Sequence, residues 1–158
     1  LTLDWSKIAK LKELWGGKVI LKGILDAEDA RMALKVGADA IVVSNHGGRQ
    51  LDGALSSIRV LPEILDAVGD EIEVHLDSGI RSGQDVLKAI AMGATGTYIG
   101  RAFIYGLGAM GEAGVTRALE VIHKELDVSM ALCGKRDIKQ VNRDILRVPE
   151  DFGGRWQR

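Results

Sequence analysis

A single cysteine, Cys133, stands in the 158 residues, which excludes an internal disulfide framework and suits a reducing compartment. An excess of one charge is also missing. Twenty-one Lys and Arg against 22 Asp and Glu leave a formal net charge of -1, without the concentrated basic face that a nucleic-acid binder needs. No uninterrupted apolar run approaches the roughly 20 residues of a membrane span, and no signal peptide opens the chain. A cytoplasmic location is therefore expected, with peripheral membrane contact left open. The chain starts at Leu1 rather than Met, as a fragment or a processed product would. Its length is that of one domain, able to bury about 70% of the extended chain's surface.

What is present is an alternation of short apolar runs and capped amphipathic segments. Asp4 precedes a helix predicted over 5–15, with Trp5, Ile8, Leu11 and Leu14 near one face and Gly16-Gly17 as its stop. A strand is predicted over 18–22, a helix capped by Asp26 over 27–36, and a strand over 39–44. The loop 45–56 leads to a helix over 57–68 whose start Pro62 blurs. Strand 72–76, loop 77–81, a helix capped by Ser82 with Asp85 and ending at Gly93, and strand 96–99 follow. Residues 101–110 read as a short helix or turn and 112–132 as a long amphipathic helix. Its stripe Val115, Leu119, Ile122, Leu126 and Met130 is expected to dock on the outside of the sheet. A last helical piece is predicted over 137–143, and a loose tail over 149–158.

The chain repeats itself. Gly23 to Asp29 lines up with Gly79 to Asp85, and at the same offset of 56 residues Ala33 to Ala38 lines up with Ala89 to Ala94. Each unit holds a strand, a capped helix, a Gly-Ala turn and a strand, so the fold class is α/β with four parallel strands. Such units can curl into a barrel. Four strands do not close one. Residues 1–148 are therefore expected to form half of an eight-stranded barrel, or to pair with a second copy or a missing partner. An open sheet is the alternative, with two bare edges and an apolar face to cover.

Polar residues gather at the exits of the predicted strands, the edge where parallel α/β proteins build sites. His46 follows a strand between Asn45 and Gly47-Gly48. Its pKa range suits it to take a proton at neutral pH, and the glycines admit a ligand close to the backbone. The plainer alternative is a loop histidine bonded to nearby backbone. Arg49 is a bidentate partner for a carboxylate, or else a solvated loop charge. Lys22 ends a strand beside the one that Ser44 ends; it can stabilise developing negative charge, or snorkel from a strand terminus. Asp77-Ser78-Gly79-Ile80-Arg81 and Gly100-Arg101 read as a phosphate cradle at two adjacent strand ends, with a helix N-terminus behind Gly100. Asp52 and Asp77 make a weak acid pair. His75 and His123 lack cysteine or carboxylate company at metal-ligand spacing, so no metal site is expected, and Cys133 is a quiet helix-end residue.

The run Ser44-Asn45-His46-Gly47-Gly48-Arg49-Gln50-Leu51-Asp52 resembles the signature of the flavin-dependent 2-hydroxy acid oxidases and dehydrogenases, the group of glycolate oxidase, L-lactate dehydrogenase, mandelate dehydrogenase and flavocytochrome b2. Lys22-Gly23, Leu76 to Arg81, Ile99-Gly100-Arg101, Tyr105 to Val115 and Met130 to Gly134 extend the resemblance over nearly the whole chain. It covers only the C-terminal half, strands five to eight, of that family's FMN-binding (β/α)8 TIM barrel. The resemblance implies that His46 takes the proton of the substrate's 2-hydroxyl while the C2 hydrogen passes to flavin N5, and that Arg49 holds the substrate carboxylate. It implies Lys22 at the N1/O2 edge of the flavin, with Ser44 also in contact with it. Asp77, Gly79 and Arg81, with Gly100 and Arg101, would bind the ribityl chain and FMN phosphate. The implied partners are a small 2-hydroxy acid, lactate before mandelate or glycolate, a quinone or oxygen as electron acceptor, and the missing N-terminal half of the barrel or a second copy. The whole protein is expected to be a homo-oligomer; a quinone-linked member would touch the inner membrane peripherally. The tyrosines, second arginine and aspartate that the family draws from the first half are absent from these 158 residues. Two alternatives stand beside this reading: a catalytically incomplete half-barrel serving assembly, and another phosphate-binding barrel such as the inosine monophosphate dehydrogenase group. The latter needs a cysteine that residues 45–56 do not contain.

Overall fold

The computed structural model describes residues 3–149 and Phe152. Helix α1 (Trp5–Trp15) starts where the Asp4 carboxylate accepts the Lys7 N–H and stops at Gly16, whose φ of 66° is the left-handed turn glycine takes most readily. Strand β1 (Ile20–Ile24) lies two residues beyond the predicted 18–22. Next come α2 (Ala27–Lys35), capped by Asp26, and β2 (Ala40–Val43), buried on both faces. Helix α3 (Ser57–Val68) carries Pro62 buried within it without breaking. Strand β3 (Glu73–Leu76) precedes α4 (Gly83–Ala91), which Ser82 and Asp85 close with reciprocal cap bonds. Strand β4 (Gly96–Thr97) is only two residues long, half the predicted length. The predicted last helical piece is two short turns, Ile138–Gln140 and Arg143–Ile145.

The four strands are parallel and pair in sequence order, β1-β2-β3-β4. With a helix after each strand, this α/β arrangement is consistent with half of a TIM barrel. Ile41, Val43, Val74 and Leu76 point from the sheet into a layer formed by Ala30, Ala33, Val60, Leu61, Ile64 and Ala89 of the covering helices. Each fully buried branched side chain contributes about 1.5–3 kcal/mol. Register partners Lys22, Val42, His75 and Gly96 cross the sheet in one row, which alternation places on the opposite face.

Helix α5 (Arg101–Leu132) contains the two predicted helices, broken where Met110 has φ -144° and Gly111 φ 60°. Gly106 and Gly114 let the two pieces cross: a Cβ on Gly114 would collide with the Gly106 carbonyl. The stripe of the longer piece packs on α4 instead of on the sheet. Leu126 and Met130 meet Leu87, Ala91 and Val141, while Leu119 is 51% exposed. Gly83 permits this, because a side chain there would strike the α5 backbone, and its N–H donates to Glu125 Oε2 at 2.9 Å. A two-residue β4 offers little sheet for the stripe to cover.

At the opposite, N-terminal end of the sheet, Asp39 joins α1 to β1. Its carboxylate accepts from the Lys12 ammonium, from Lys18 at 2.9 Å and from the Val19 N–H at 2.8 Å. The bond from Lys12, then those from Lys18 and Val19, hold the Asp39 carboxyl far below the usual range, and Asp39 in turn raises Lys18. Of the apolar face predicted for α1, Trp5 packs against the core, whereas Leu11 and Leu14 are exposed. No described helix is long and apolar enough to cross a membrane. The predicted tail 149–158 lies outside the described residues except for Pro149 and Phe152, whose ring sits 5.7 Å from the Arg59 guanidinium.

Candidate active site

The carboxyl ends of the strands open on a cavity of about 500 Å³, within the roughly 300–1,000 Å³ of small-molecule sites. Lys22 reaches it from β1. Its Nζ lies 2.9 Å from Asp77 Oδ2 and donates to Ser44 Oγ at 3.0 Å. Burial pushes the Asp77 carboxyl up, but hydrogen bonds from Ser44, Ser78 and Lys22 outweigh it, so the group titrates below its ordinary range. Asp77 is therefore ionised at neutral pH, and it holds Lys22 Nζ at the cavity wall. Ser44 itself is fully buried behind that wall, where its hydroxyl also accepts the His46 N–H at 3.1 Å.

His46 opens a tight turn, His46–Gly48, with a φ of 55° that few non-glycine residues adopt. Asn45 shapes the turn: its side chain accepts the Gly47 N–H at 3.0 Å and donates to Leu55 O at 3.3 Å. The imidazole occupies space that Gly23 leaves free, since a Cβ there would stand 2.5 Å from His46 Cε1. Arg49 follows on the cavity wall and has no ion-pair partner among the described residues.

The far end of the cavity gathers groups able to hold an anion. Gly79, with φ 94°, and Gly100 present bare backbone: a Cβ added at either meets no atom within 4 Å and would stand in the open cavity. Gly100 precedes α5 without a side-chain cap, so the helix's first N–H groups and its positive dipole end are available. Arg81 lines the same end, and Arg101 does so while donating to Gly47 O at 2.8 Å. Two open glycines, an uncapped helix terminus and two guanidinium groups form the donor set a phosphate monoester requires.

Thus Lys22, His46, Arg49 and Asp77 share one cavity with Gly79, Arg81, Gly100 and Arg101, and Ser44 stands immediately behind it. Asp52 is not brought to Asp77; its carboxylate accepts the Gly53 N–H in the outer loop. His123 and Cys133 are exposed, away from the cavity. Ser78, named in the sequence only as part of the cradle run, and Tyr98, named only within a strand, line the cavity without having been given a role of their own. Ser78 has φ 72°, and its hydroxyl donates to Asp77 in its own loop and accepts the Gly47 N–H from the loop after β2. Tyr98 places its hydroxyl 3.1 Å from Nδ1 of His75, whose Nε2 lies 3.1 Å from Glu73. Period-two alternation back from Gly100 could have pointed to Tyr98. Ser78 gives no such signal for a role of its own, because its bond to Gly47 crosses to the loop after β2.

A family model described as FMN-dependent dehydrogenase matches residues 1–148. An L-lactate dehydrogenase of Caulobacter vibrioides is 54% identical over 150 residues, 94% of this chain and 39% of the relative. An L-lactate dehydrogenase of Pseudomonas aeruginosa is 54% identical over 145 residues, 92% of this chain and 38% of the relative. Among solved structures, mandelate oxidase with 3,3-difluoro-2-hydroxy-3-phenylpropionic acid superimposes with a TM-score of 0.86 at 45% identity, over 89% of this chain and 43% of that one. A mandelate oxidase variant carrying an FMN adduct gives 0.85 at 45% identity, over 88% and 42%. The chain thus spans about two-fifths of the length of these relatives.

Proposed function

The chain belongs to the FMN-dependent dehydrogenase family, and from that premise we propose that it is the C-terminal half, strands five to eight, of a barrel that oxidises an L-2-hydroxy acid to the 2-oxo acid. Residues 1–148 carry the catalytic and phosphate loops, and the remainder of the barrel supplies the other wall of the pocket. The observation that carries the reading is the convergence of His46, Arg49, Lys22, Asp77, Arg81 and Arg101 on one cavity. Lactate leads as substrate because the relatives at 54% identity are L-lactate dehydrogenases, against 45% for mandelate oxidase.

The donor set fits FMN. Gly79, Arg81, Gly100 and Arg101, with the N-terminus of α5, would hold its phosphate, and Asp77 the ribityl chain. Lys22 would meet the electron-rich edge of the ring system, with Ser44 acting there through Lys22. FMN supplies the two-electron acceptor for the hydrogen at substrate C2. The protein does the rest. Arg49 binds the substrate carboxylate and orients the molecule. A ring nitrogen of His46 takes the proton from the 2-hydroxyl as the C–O bond becomes C=O. The ammonium of Lys22, held 2.9 Å from Asp77, would stabilise negative charge at its end of the cavity.

The test is to load the full-length protein with FMN and record flavin absorbance before and after anaerobic L-lactate. Bleaching is the expected result. His46→Gln should slow it by on the order of 10²–10⁴ while the flavin stays bound. Bound flavin that no 2-hydroxy acid bleaches would sink the reading.

A further inference from the structure

Among the described residues, two non-glycine residues have positive φ, His46 at 55° and Ser78 at 72°. They sit on adjacent loops, after the paired strands β2 and β3, that line the cavity side by side. A glycine would adopt the Ser78 backbone without steric cost, so a serine there is held in strain that the surroundings must over-determine. They do. The buried Ser57 hydroxyl donates to the carbonyls of Asp77 at 2.6 Å and of Ser78 at 3.2 Å. The Ser78 hydroxyl donates to Asp77 Oδ1 at 2.7 Å and accepts the Gly47 N–H at 3.2 Å, and Ser44 Oγ lies 3.5 Å away. That one oxygen therefore ties the carboxylate paired with Lys22 to the backbone beside His46.

We propose that Ser78 is a positioning residue, whose hydroxyl clamps the His46–Gly48 turn to the Asp77–Lys22 ion pair and so sets the imidazole against the substrate hydroxyl. The proposal rests on the function given above. The clamp is tethered on both sides: Asp77 is fixed by Lys22, and Gly47 also accepts from Arg101 at 2.8 Å through its carbonyl. Without the hydroxyl, the His46 turn keeps the bond from Arg101, the bond between the Gly47 N–H and Asn45, and the path from the His46 N–H through Ser44 Oγ to Lys22, but its Gly47 end loses the tie to the Asp77 carboxylate. A base that swings by a fraction of an ångström loses rate before it loses binding.

The experiment uses the full-length, FMN-loaded protein with Ser78→Gly and Ser78→Ala. Ser78→Gly relieves the strained backbone, so its melting temperature should equal or exceed that of the unaltered protein, whereas Ser78→Ala should melt lower. Both should bind FMN within twofold of the unaltered protein, keep KM for L-lactate within about threefold, and lose tenfold or more in kcat. Amide exchange at Gly47 should quicken at least tenfold in both. Adding Ser78→Gly to His46→Gln should cost no further rate, because the serine acts through the histidine. Full kcat in Ser78→Gly, unchanged exchange at Gly47, or a loss that persists in the His46→Gln background would each overturn the proposal. If the unaltered protein is inert toward 2-hydroxy acids, the functional reading fails by itself. Exchange at Gly47 and the His46 ring resonances of Ser78→Gly then decide whether the clamp exists, unchanged signals overturning it.

Discussion

The His46 imidazole is placed less by what touches it than by what Gly23 lacks. A Cβ on Gly23 would fall 2.5 Å from His46 Cε1, and the backbone there has φ 103°. Gly23→Ala therefore strains the end of β1 and pushes the ring out of place. The strain should cost about 1–3 kcal/mol of stability, and kcat should fall more than tenfold beyond what the lost stability accounts for, measured by urea unfolding and by stopped-flow flavin reduction. Normal turnover in a destabilised variant would show that the ring has room to move. At this scale the sequence was readable where a residue's chemistry is its signal. Lys22, His46, Arg49, Arg81 and Arg101 could be singled out as charged or titratable groups at strand exits, and all line the cavity. Ser78 and Tyr98 were not legible in this way. A serine in a strained turn and a tyrosine bonded to His75 acquire their meaning from partners 31 and 23 residues away.

Elements were legible where local chemistry ends them. The caps Asp4, Asp26 and Ser82 and the stop at Gly16 stand where the side chains call for them. Strand limits were not, since β1 runs past Lys22 to Ile24 and β4 stops at Thr97 for reasons of pairing. The docking of α5 also lay beyond the sequence: an apolar stripe says that a face will be covered, not by which neighbour. Helix α1 depends on a charge as much as on its stripe, because Lys12 and Lys18 meet at Asp39 while Leu11 and Leu14 stay exposed. The Asp39 carboxyl titrates far lower folded than unfolded. Its contribution is thus complete above the unfolded value, about 3.9, and disappears as pH falls through the acid range towards the folded one. Asp39→Asn should lower the urea midpoint at pH 7, and the gap to the unaltered protein should narrow between pH 5 and pH 2. A gap independent of pH would assign the role of Asp39 to shape alone.

For the whole molecule, the decisive feature is what the four-stranded sheet leaves uncovered. Strands β1 and β4 are its free edges, while Leu14 and Trp15 at the end of α1 are 77% and 68% exposed and Tyr105 and Leu132 of α5 are 73% and 84% exposed. Soluble proteins seldom leave such surface free at two edges. The cavity at the carboxyl ends of the strands is open as well, although small-molecule sites usually enclose 70–90% of their ligand. The two facts have one remedy, the other part of the barrel, on which both the apolar edges and the unfinished pocket would close. Residues 1–158 produced alone should therefore show a mass by light scattering that rises above the monomer with concentration. They should also bind FMN more weakly than the full-length protein by on the order of 100-fold, about 2.7 kcal/mol. Adding the complementary part of the barrel in trans should restore both a fixed mass and flavin affinity. Tight FMN binding by a strictly monomeric chain would mean that four strands suffice for the pocket, and that the exposed edges serve something other than closure.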